Sequence, residues 1–361
     1  MKTAIDGPLR DGDGYSQATR GVIVGLSRIG ILVGTEDNWH VRAAELEPEV
    51  VKALDAGFGK ADIGIRLSQP DSGFLAPGNF KVCWSMWEFT EVPLAKYRGP
   101  DKRLVCSWPE GMNKVNANFV PCEFCKQLWL SAGCEKPVIV VPLGFDGRIY
   151  HPSPRGSDRD NKPFTFIISG TLSNRKNPNM VLEAFTELFA NREDARLIMK
   201  APAHLPLQYK EFPNNVQIIN ETWPHWKLAE LYWESDVLVY PSQGEGFGLT
   251  LIEAMACGLP VITTGATAMV DYVDADVGWL LDYDIGYVGS DFCLNPLKET
   301  WQEFGYFQPR YKSLLAAMED AFNDRDKTAR KGNAAIKRAF SRYTWEMVAV
   351  EIIRAVKTLK G

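Results

Sequence analysis

The stretch that most constrains this chain of 361 residues is DVLVYP at 236–241 followed by SQGEGFGLTLIEAMACGLP at 242–260. The first run is short, continuously apolar and stopped by Pro241, the form of a buried strand. Gly244, Gly246 and Gly248 mark a glycine turn after it, and a short helix follows, closed by CGLP at 257–260. Glu245 and Glu253 bracket the turn with seven residues between them. A strand, a glycine turn and a helix N-terminus in that order present backbone N–H groups to an anion. The carboxylates add acceptors for hydroxyl groups. The ligand such a site suits is anionic at one end and rich in hydroxyls at the other, and a nucleotide sugar has that form.

The rest of the chain alternates strand and helix patterns. Residues 1–8 read as a strand, RDGDGYS at 10–16 as a glycine loop with Gly12 and Gly14, and the next segment as a helix to about Ile29. Ala18, Val22, Leu26 and Ile29 share a face of that helix, and Gly21 and Gly25, one turn apart, predict the close approach of a neighbour. The loop is not a full dinucleotide fingerprint, because Gln17 stands where its third glycine belongs. Short apolar runs at 62–67, 79–85, 103–106, 118–121 and 138–142 predict further strands, with a helix from Cys122 to about Ala132. Residues 150–162, rich in Pro, Arg, Asp, Ser and Gly, read as a linker.

Beyond the linker the pattern restarts as strand, Gly170 and loop, with Asn177 and Pro178 in N-cap and N1 positions and Val181, Phe185, Leu188 and Phe189 forming a stripe. Strands are expected at 195–200, 216–220 and 261–264, and helices at 226–235, 311–323 and 328–340. A last amphipathic helix carries Trp345, Val348, Ile352 and Val356, while residues 284–309 read as irregular. Because the second half repeats the first, the expected class is α/β with two similar domains, at residues 1–155 and 156–340, and a terminal helix at 341–361.

Composition narrows the function classes. No apolar run approaches the ~20 residues of a membrane span, and the N-terminus lacks the form of a signal peptide. Seven cysteines in no framework spacing predict reduced thiols and a cytoplasmic setting. Cys122 and Cys125 form a C-x-x-C without a matching second pair, which reads as structural. A net charge of −5 gives no general attraction for nucleic acid. Locally, Arg325, Lys327, Arg330, Lys331, Lys337, Arg338 and Arg342 cluster. They read first as a solvated helix face, and second as a patch for an anionic membrane or acceptor.

With Pro241 and Ser242 before it and GLPV at 258–261 after it, the Glu245-to-Glu253 block resembles the E-x7-E signature of glycosyltransferase family 4, a retaining family with the GT-B fold. GTLSNRK at 170–176 resembles that family's glycine, Arg and Lys phosphate loop. VPLGFD at 141–146 with YHP at 150–152 resembles the segment entering its interdomain linker, and GDGY at 12–15 its N-terminal donor-facing loop. The four stand in the family's order, and the likeness is strongest over residues 120–280. It implies two Rossmann-like domains facing across a cleft, with the C-terminal helix crossing back to the N-terminal domain. The donor would lie mainly on the C-terminal domain and the acceptor mainly on the N-terminal one.

The same resemblance implies an enzyme, a retaining hexosyltransferase. It would move a sugar from a nucleotide sugar, UDP-linked (UDP-glucose, for example) rather than GDP- or ADP-linked, to a hydroxyl acceptor without a metal or other cofactor. A glycan, a small molecule and a hydroxymethylated DNA base are the candidate acceptors, and oligomerisation is left open. Lys176 and Arg175 would meet the diphosphate, Thr171 standing where the family often has another arginine. Gly170, Gly246, Phe247, Gly248, Leu249 and Thr250 would line the same site, with Gly12 and Gly14 facing it. Glu253 would accept from the ribose hydroxyls, and Glu245 would contact the transferred sugar during front-face substitution. Asn220, Glu221 and Thr222 fall at the expected nucleobase edge. On the acceptor side, Glu88 follows Trp84 and Trp87, which would stack on a sugar or fill a core, and His40 is a further candidate. The competing readings are a GT-B epimerase of UDP-amino sugars and a catalytically silent nucleotide-sugar-binding scaffold.

Overall fold

The structure is a computed structural model that describes residues 1–9, 14–37, 46–70, 77–94, 97–98, 104–105, 107–153, 162–202, 211–289 and 303–361. The chain divides into two compact units. Residues 1–144, 287–306 and 343–361 form the first, and residues 145–286 and 307–342 the second.

The first unit begins with β1 (Lys2–Asp6), α1 (Gly14–Arg28), β2 (Leu32–Thr35), α2 (Pro48–Ala56), β3 (Ile63–Leu67) and β4 (Phe80–Trp84). It continues with β5 (Tyr97–Arg98), β6 (Leu104–Val105), α3 (Trp108–Met112), β7 (Ala117–Val120), α4 (Glu123–Ser131) and β8 (Val138–Val140). Its main sheet runs β2-β1-β3-β4-β7-β8, every pairing parallel. Parallel neighbours need crossovers, and crossovers cover both faces of a sheet, which is why β3 and β7 are buried at every residue. The strand expected at 103–106 is instead a short antiparallel partner of β5. Sequence reading passed over α2, whose Pro48 opens its first turn.

The second unit holds β9 (Phe164–Ser169), α5 (Pro178–Phe189), β10 (Ala195–Ala201), β11 (Val216–Asn220), α6 (His225–Trp233), β12 (Val237–Tyr240), α7 (Leu249–Ala256), β13 (Val261–Thr264) and β14 (Gly278–Leu281). Its parallel sheet runs β11-β10-β9-β12-β13-β14. Numbered within the unit, that is the 3-2-1-4-5-6 order of a dinucleotide-binding doubly wound sheet. The expectation of two Rossmann-like α/β domains with parallel sheets therefore stands. The second unit begins at Phe145, ahead of the stretch expected to be a linker, and Tyr150 is buried there against Tyr232.

The described residues within 284–309 are not irregular. β15 (Tyr283–Gly289) and β16 (Glu303–Pro309) form a two-stranded sheet. Tyr283, Ile285 and Tyr287 do alternate, but Gly286, Gly289 and Pro309 break the apolar run, and the partners are far apart in sequence. α8 (Tyr311–Asn323), α9 (Arg325–Arg342) and α10 (Trp345–Lys360) complete the chain. Within the first unit, α10 packs on α1. Gly21 and Gly25 make this possible: a Cβ at Gly21 would fall 1.9 Å from Trp345 Cε2, and one at Gly25 2.2 Å from the Trp345 carbonyl oxygen.

One side-chain alternative is decided and one expectation needs correction. Of the two roles open to Trp84 and Trp87, the structure shows the core one. Trp87 packs on Phe89, Trp108 and Phe304, all buried, and Trp84 meets Phe119 edge-on at 5.8 Å. Asn177 is not a side-chain cap. Its backbone is left-handed (φ 54°), and its amide Nδ2 donates to the Pro241 carbonyl at 2.8 Å.

Cys122 and Cys125 are buried, and the Cys122 sulfur accepts from the Cys125 N–H at the start of α4. The basic run on α9 is largely paired: Lys327 with Asp320 (2.6 Å), Arg338 with Asp274 (2.9 Å), and buried Lys331 with the Ala275 and Gly278 carbonyls. No helix among the described residues is long and apolar enough to cross a membrane.

Candidate functional site

Open parallel sheets bind ligands outside the carboxyl ends of their strands, where the strand order reverses. In the second unit that point lies between β9 and β12. The loops leaving these strands carry Gly170 to Lys176 and Ser242 to Gly248. Gly170 takes φ +112°, a region L side chains avoid, and a Cβ there would lie 3.3 Å from Thr250 Oγ1. A single 3-10 turn, Asn174–Lys176, then aims two cations at the second loop.

Lys176 Nζ donates to Glu245 Oε1, and Arg175 Nη1 lies 3.3 Å from the same oxygen. Arg175 also donates to the Gly244 carbonyl and lies 3.4 Å from Ser242 Oγ. Backbone bonds fix the register of the loops: the Gln243 N–H donates to the Arg175 carbonyl at 2.9 Å, and the Glu245 N–H to Thr267 Oγ1 at 3.1 Å. Glu245 is 6% exposed and Lys176 8%. The lysine ammonium also sits 4.9 Å from the Tyr240 ring centroid. Burial pushes the Glu245 carboxyl up, but the charges of Lys176 and Arg175 outweigh it and hold the group below its ordinary 4.5.

A lowered folded-state value means that this carboxylate stabilises the protein above the ordinary value and loses that contribution as the pH falls through the lowered one. Glu245→Gln is therefore expected to be less stable than the parent at pH 7, with the difference shrinking toward pH 3. Urea melts of both proteins across that range measure it, and a difference independent of pH would contradict the assignment.

α7 starts from Gly248, whose φ of +91° would strain any other residue. A Cβ there would come within 2.6 Å of Leu251 Cδ1 and 2.7 Å of the Tyr272 hydroxyl oxygen. That hydroxyl donates to the Phe247 carbonyl at 2.6 Å and so pins the glycine turn. Glu253 lies on the buried face of α7, 3% exposed. It is near the hydroxyls of Tyr150 and Tyr232, and after burial its charge is the next cause raising both phenols. It is not a solvated helix residue.

The fold thus brings together Gly170, Arg175, Lys176, Glu245, Gly246, Phe247, Gly248, Leu249 and Thr250, with Glu253 further along the same helix. Thr171 is exposed on the first loop. Asn220 and Thr222 are not part of this cluster. They are exposed at the end of β11, two strands from β9, about 10 Å by ordinary strand spacing.

Gly14 and Glu88 belong to the first unit, and Gly12 and His40 lie outside the described residues. Glu88 is half-buried in the turn after β4. In that turn Tyr15, from the start of α1, has its hydroxyl 3.2 Å from Ser85 Oγ and accepts from the Met86 N–H. Burial, and more weakly the Glu88 charge, raise the Tyr15 phenol.

Sequence reading missed a buried ion pair at the carboxyl edge of the first sheet. Arg66 Nη1 lies 3.0 Å from Asp6 Oδ2, and Arg66 Nε donates to Ser68 Oγ at 2.6 Å. The only signal was a charge closing each of two apolar strands. It also missed Tyr150 and His225, whose side chains meet at 2.6 Å. Among the described residues no three His, Cys, Asp or Glu side chains are grouped to hold a metal ion.

Residues 152–284, which contain the whole β9/β12 cluster, match the family model described as Glycosyl transferases group 1. The chain is 27% identical over 151 residues to a GDP-mannose-dependent alpha-(1-6)-phosphatidylinositol dimannoside mannosyltransferase of Mycobacterium tuberculosis, covering 40% of each protein. It is 25% identical over 237 residues to a probable sucrose-phosphate synthase of Thermosipho melanesiensis, covering 61% of this chain and 47% of that one. The chain thus spans less than half the length of these curated relatives. In fold it resembles sucrose-phosphate synthase from Thermosynechococcus elongatus (TM-score 0.68, 15% identity, 99% of both chains). It also resembles Anabaena HepE in complex with UDP-glucose (TM-score 0.64, 16% identity, 99% of both chains). The site built from β9, β12 and α7 therefore lies within a span similar to the glycosyl transferases of group 1, on a fold shared with solved GT-B glycosyltransferases.

Proposed function

We propose that this chain is a retaining glycosyltransferase that moves a hexose from a nucleoside diphosphate sugar to a hydroxyl acceptor. The observation that carries the reading is the convergence of Lys176, Arg175 and Glu245 at the switch point of the second sheet, with Glu253 on the helix that starts there.

As the glycosidic bond breaks, charge grows on the departing diphosphate. Lys176 and Arg175 oppose it, together with the backbone N–H groups at the start of α7. Glu245, ionised because the two cations hold it so, accepts from hydroxyls of the sugar and favours positive charge at its ring. The acceptor hydroxyl attacks from the face the diphosphate leaves, and a departing phosphate oxygen takes its proton, so configuration is retained. No step calls on a metal. Glu253 holds the ribose hydroxyls. The donor rests on the second unit, and Glu88 is the acceptor-side candidate.

The donor proposed is a UDP-sugar, in line with the fold neighbour that binds UDP-glucose. The mannosyltransferase relative makes GDP-mannose the competing candidate. A saccharide, a small molecule and a hydroxymethylated DNA base remain the acceptor classes. A reducing, cytoplasmic setting is part of the reading, supported by free thiols at Cys83, Cys122, Cys125, Cys134 and Cys257.

The test is incubation with labelled UDP-, GDP- and ADP-sugars, with water or a sugar as acceptor. Cleavage of one donor with retained anomeric configuration is expected. An epimerised donor would point to a GT-B isomerase instead, and binding without turnover to a silent scaffold.

A further inference from the structure

The glycine turn at 244–248 is held at two points from one buried segment. That segment leaves the carboxyl end of β13 as a 3-10 turn, Thr267–Asp271, with Tyr272 directly after it. Thr267 is 3% exposed and Tyr272 0%. Thr267 Oγ1 accepts from the Glu245 N–H at 3.1 Å. The Tyr272 hydroxyl donates to the Phe247 carbonyl at 2.6 Å and lies 3.5 Å from the Gly248 carbonyl. Its ring centroid stands 5.4 Å from that of Phe247.

The segment is itself fixed. The Val273 N–H donates to the Met269 carbonyl at 2.8 Å, and Arg338 Nη1, from α9, donates to the Tyr272 carbonyl at 3.2 Å. Thr267 takes φ +55°, where a β-branched residue is strained. Strain of this kind persists only where the surroundings impose it, and it gathers at functional sites. Here it accompanies the bond from the Glu245 N–H to Thr267 Oγ1.

In a planar trans peptide the C=O and the N–H point opposite ways. The Phe247 carbonyl and the Gly248 N–H belong to one peptide. The bond that draws the carbonyl to Tyr272 therefore turns the N–H away from it. β13, which leads into the Tyr272 segment, flanks β12 on the side away from β9. The loop that leaves β9 lies close to the first turn of α7, where a Cβ on Gly170 would fall 3.3 Å from Thr250 Oγ1.

We propose that Thr267 and Tyr272 are positioning residues for the departing phosphate. Tyr272 turns the Gly248 N–H toward the crevice between β9 and β12, and Thr267 holds the Glu245 backbone near the other end of the glycine turn. This rests on the proposed nucleotide-sugar reading of the site and adds two side chains to it, neither of which touches the ligand. In that reading the ribose lies at Glu253 and the transferred sugar at Glu245. Gly248 stands between them on the Glu245 side, so its N–H meets the terminal phosphate, the one that carries the sugar. A donor fixed before the ligand arrives needs no reorganisation as charge develops there.

The test is calorimetric binding of UDP and GDP, each beside its monophosphate, UMP or GMP, to the full chain. Tyr272→Phe keeps the ring and removes the hydroxyl. It is expected to weaken the better-bound diphosphate about tenfold and to leave its monophosphate unchanged. Thr267→Val keeps the branched shape without Oγ1 and should lose about threefold, with the same dependence on the terminal phosphate. Thr267→Ser, which keeps the hydroxyl, should bind like the parent. Circular dichroism and a thermal melt of each variant establish that it is folded, and should Tyr272→Phe fail that control, the Thr267 pair alone decides. An equal loss for both nucleotide forms, no loss for the diphosphate, or a Thr267→Ser as weak as Thr267→Val overturns the positioning role while leaving the nucleotide site intact. If the unaltered protein binds neither UDP nor GDP, the functional reading fails first and takes this inference with it.

Discussion

Replacing Lys176 by Met is expected to lower turnover of the nucleotide-sugar donor by about 10²–10³, the usual cost of removing one preorganised donor from developing negative charge. Methionine keeps most of the apolar stem of the lysine, and the ammonium is lost together with its contact to the Tyr240 ring. The loss should appear in kcat, because the charge that Lys176 meets grows as the sugar leaves. A second consequence separates this from unfolding. Lys176 is one of two cations on a buried carboxylate, and removing one partner of a buried pair can cost about 3–5 kcal/mol. Arg175, 3.3 Å from the same oxygen, keeps the carboxylate partnered, so the stability cost should fall below that range. Single-turnover rates and urea melts on the same preparation measure both. A variant that is well folded and turns the donor over at the parent rate would remove Lys176 from the mechanism.

Trp345→Ala is expected to destabilise the protein by about 3–5 kcal/mol, the range for truncating a buried large aromatic. Trp345 is 4% exposed and fills the groove that Gly21 and Gly25 open on α1. The reciprocal change tests the same contact. Gly25→Ala places a Cβ 2.2 Å from a backbone oxygen of Trp345, which no rotamer can relieve, and should cost about 1–3 kcal/mol by forcing the helices apart. Gly14→Ala, where a Cβ meets nothing within 4 Å, is the control. Denaturant midpoints rank the three. Should Trp345→Ala melt like the parent, α10 would not be held by this contact.

These helices were legible before any coordinates. Two glycines one turn apart predicted a close neighbour, and the apolar spacing of Trp345, Val348, Ile352 and Val356 predicted the helix that supplies it. The strand, glycine turn and helix around Glu245 were equally plain, because Pro241, Gly248 and Gly258 punctuate locally. The features that stayed hidden depend on contacts between residues distant in sequence. β15 and β16 pair across the segment between them, and no local pattern specifies that register. For Trp84 and Trp87 the sequence left a binding platform and a core role equally open, because aromatics beside a carboxylate suit either. The residues that bury them, Trp108, Phe304 and Phe119, come from other parts of the chain. Tyr150 sat in a polar, proline-containing stretch whose composition says linker, and only its packing on His225 and Tyr232 of α6 shows that it is buried. The pairing of Asp6 with Arg66 likewise needs the parallel register of β1 and β3.

The measurement that bears most directly on the central claim is a crystal structure of the protein with UDP or GDP bound, whichever binds more tightly in solution. The account predicts the diphosphate at Lys176, Arg175 and the first N–H groups of α7, with the ribose hydroxyls on Glu253. A nucleotide seated elsewhere, for instance on the carboxyl edge of the first sheet beside Asp6 and Arg66, with Lys176 still closed on Glu245, would contradict it.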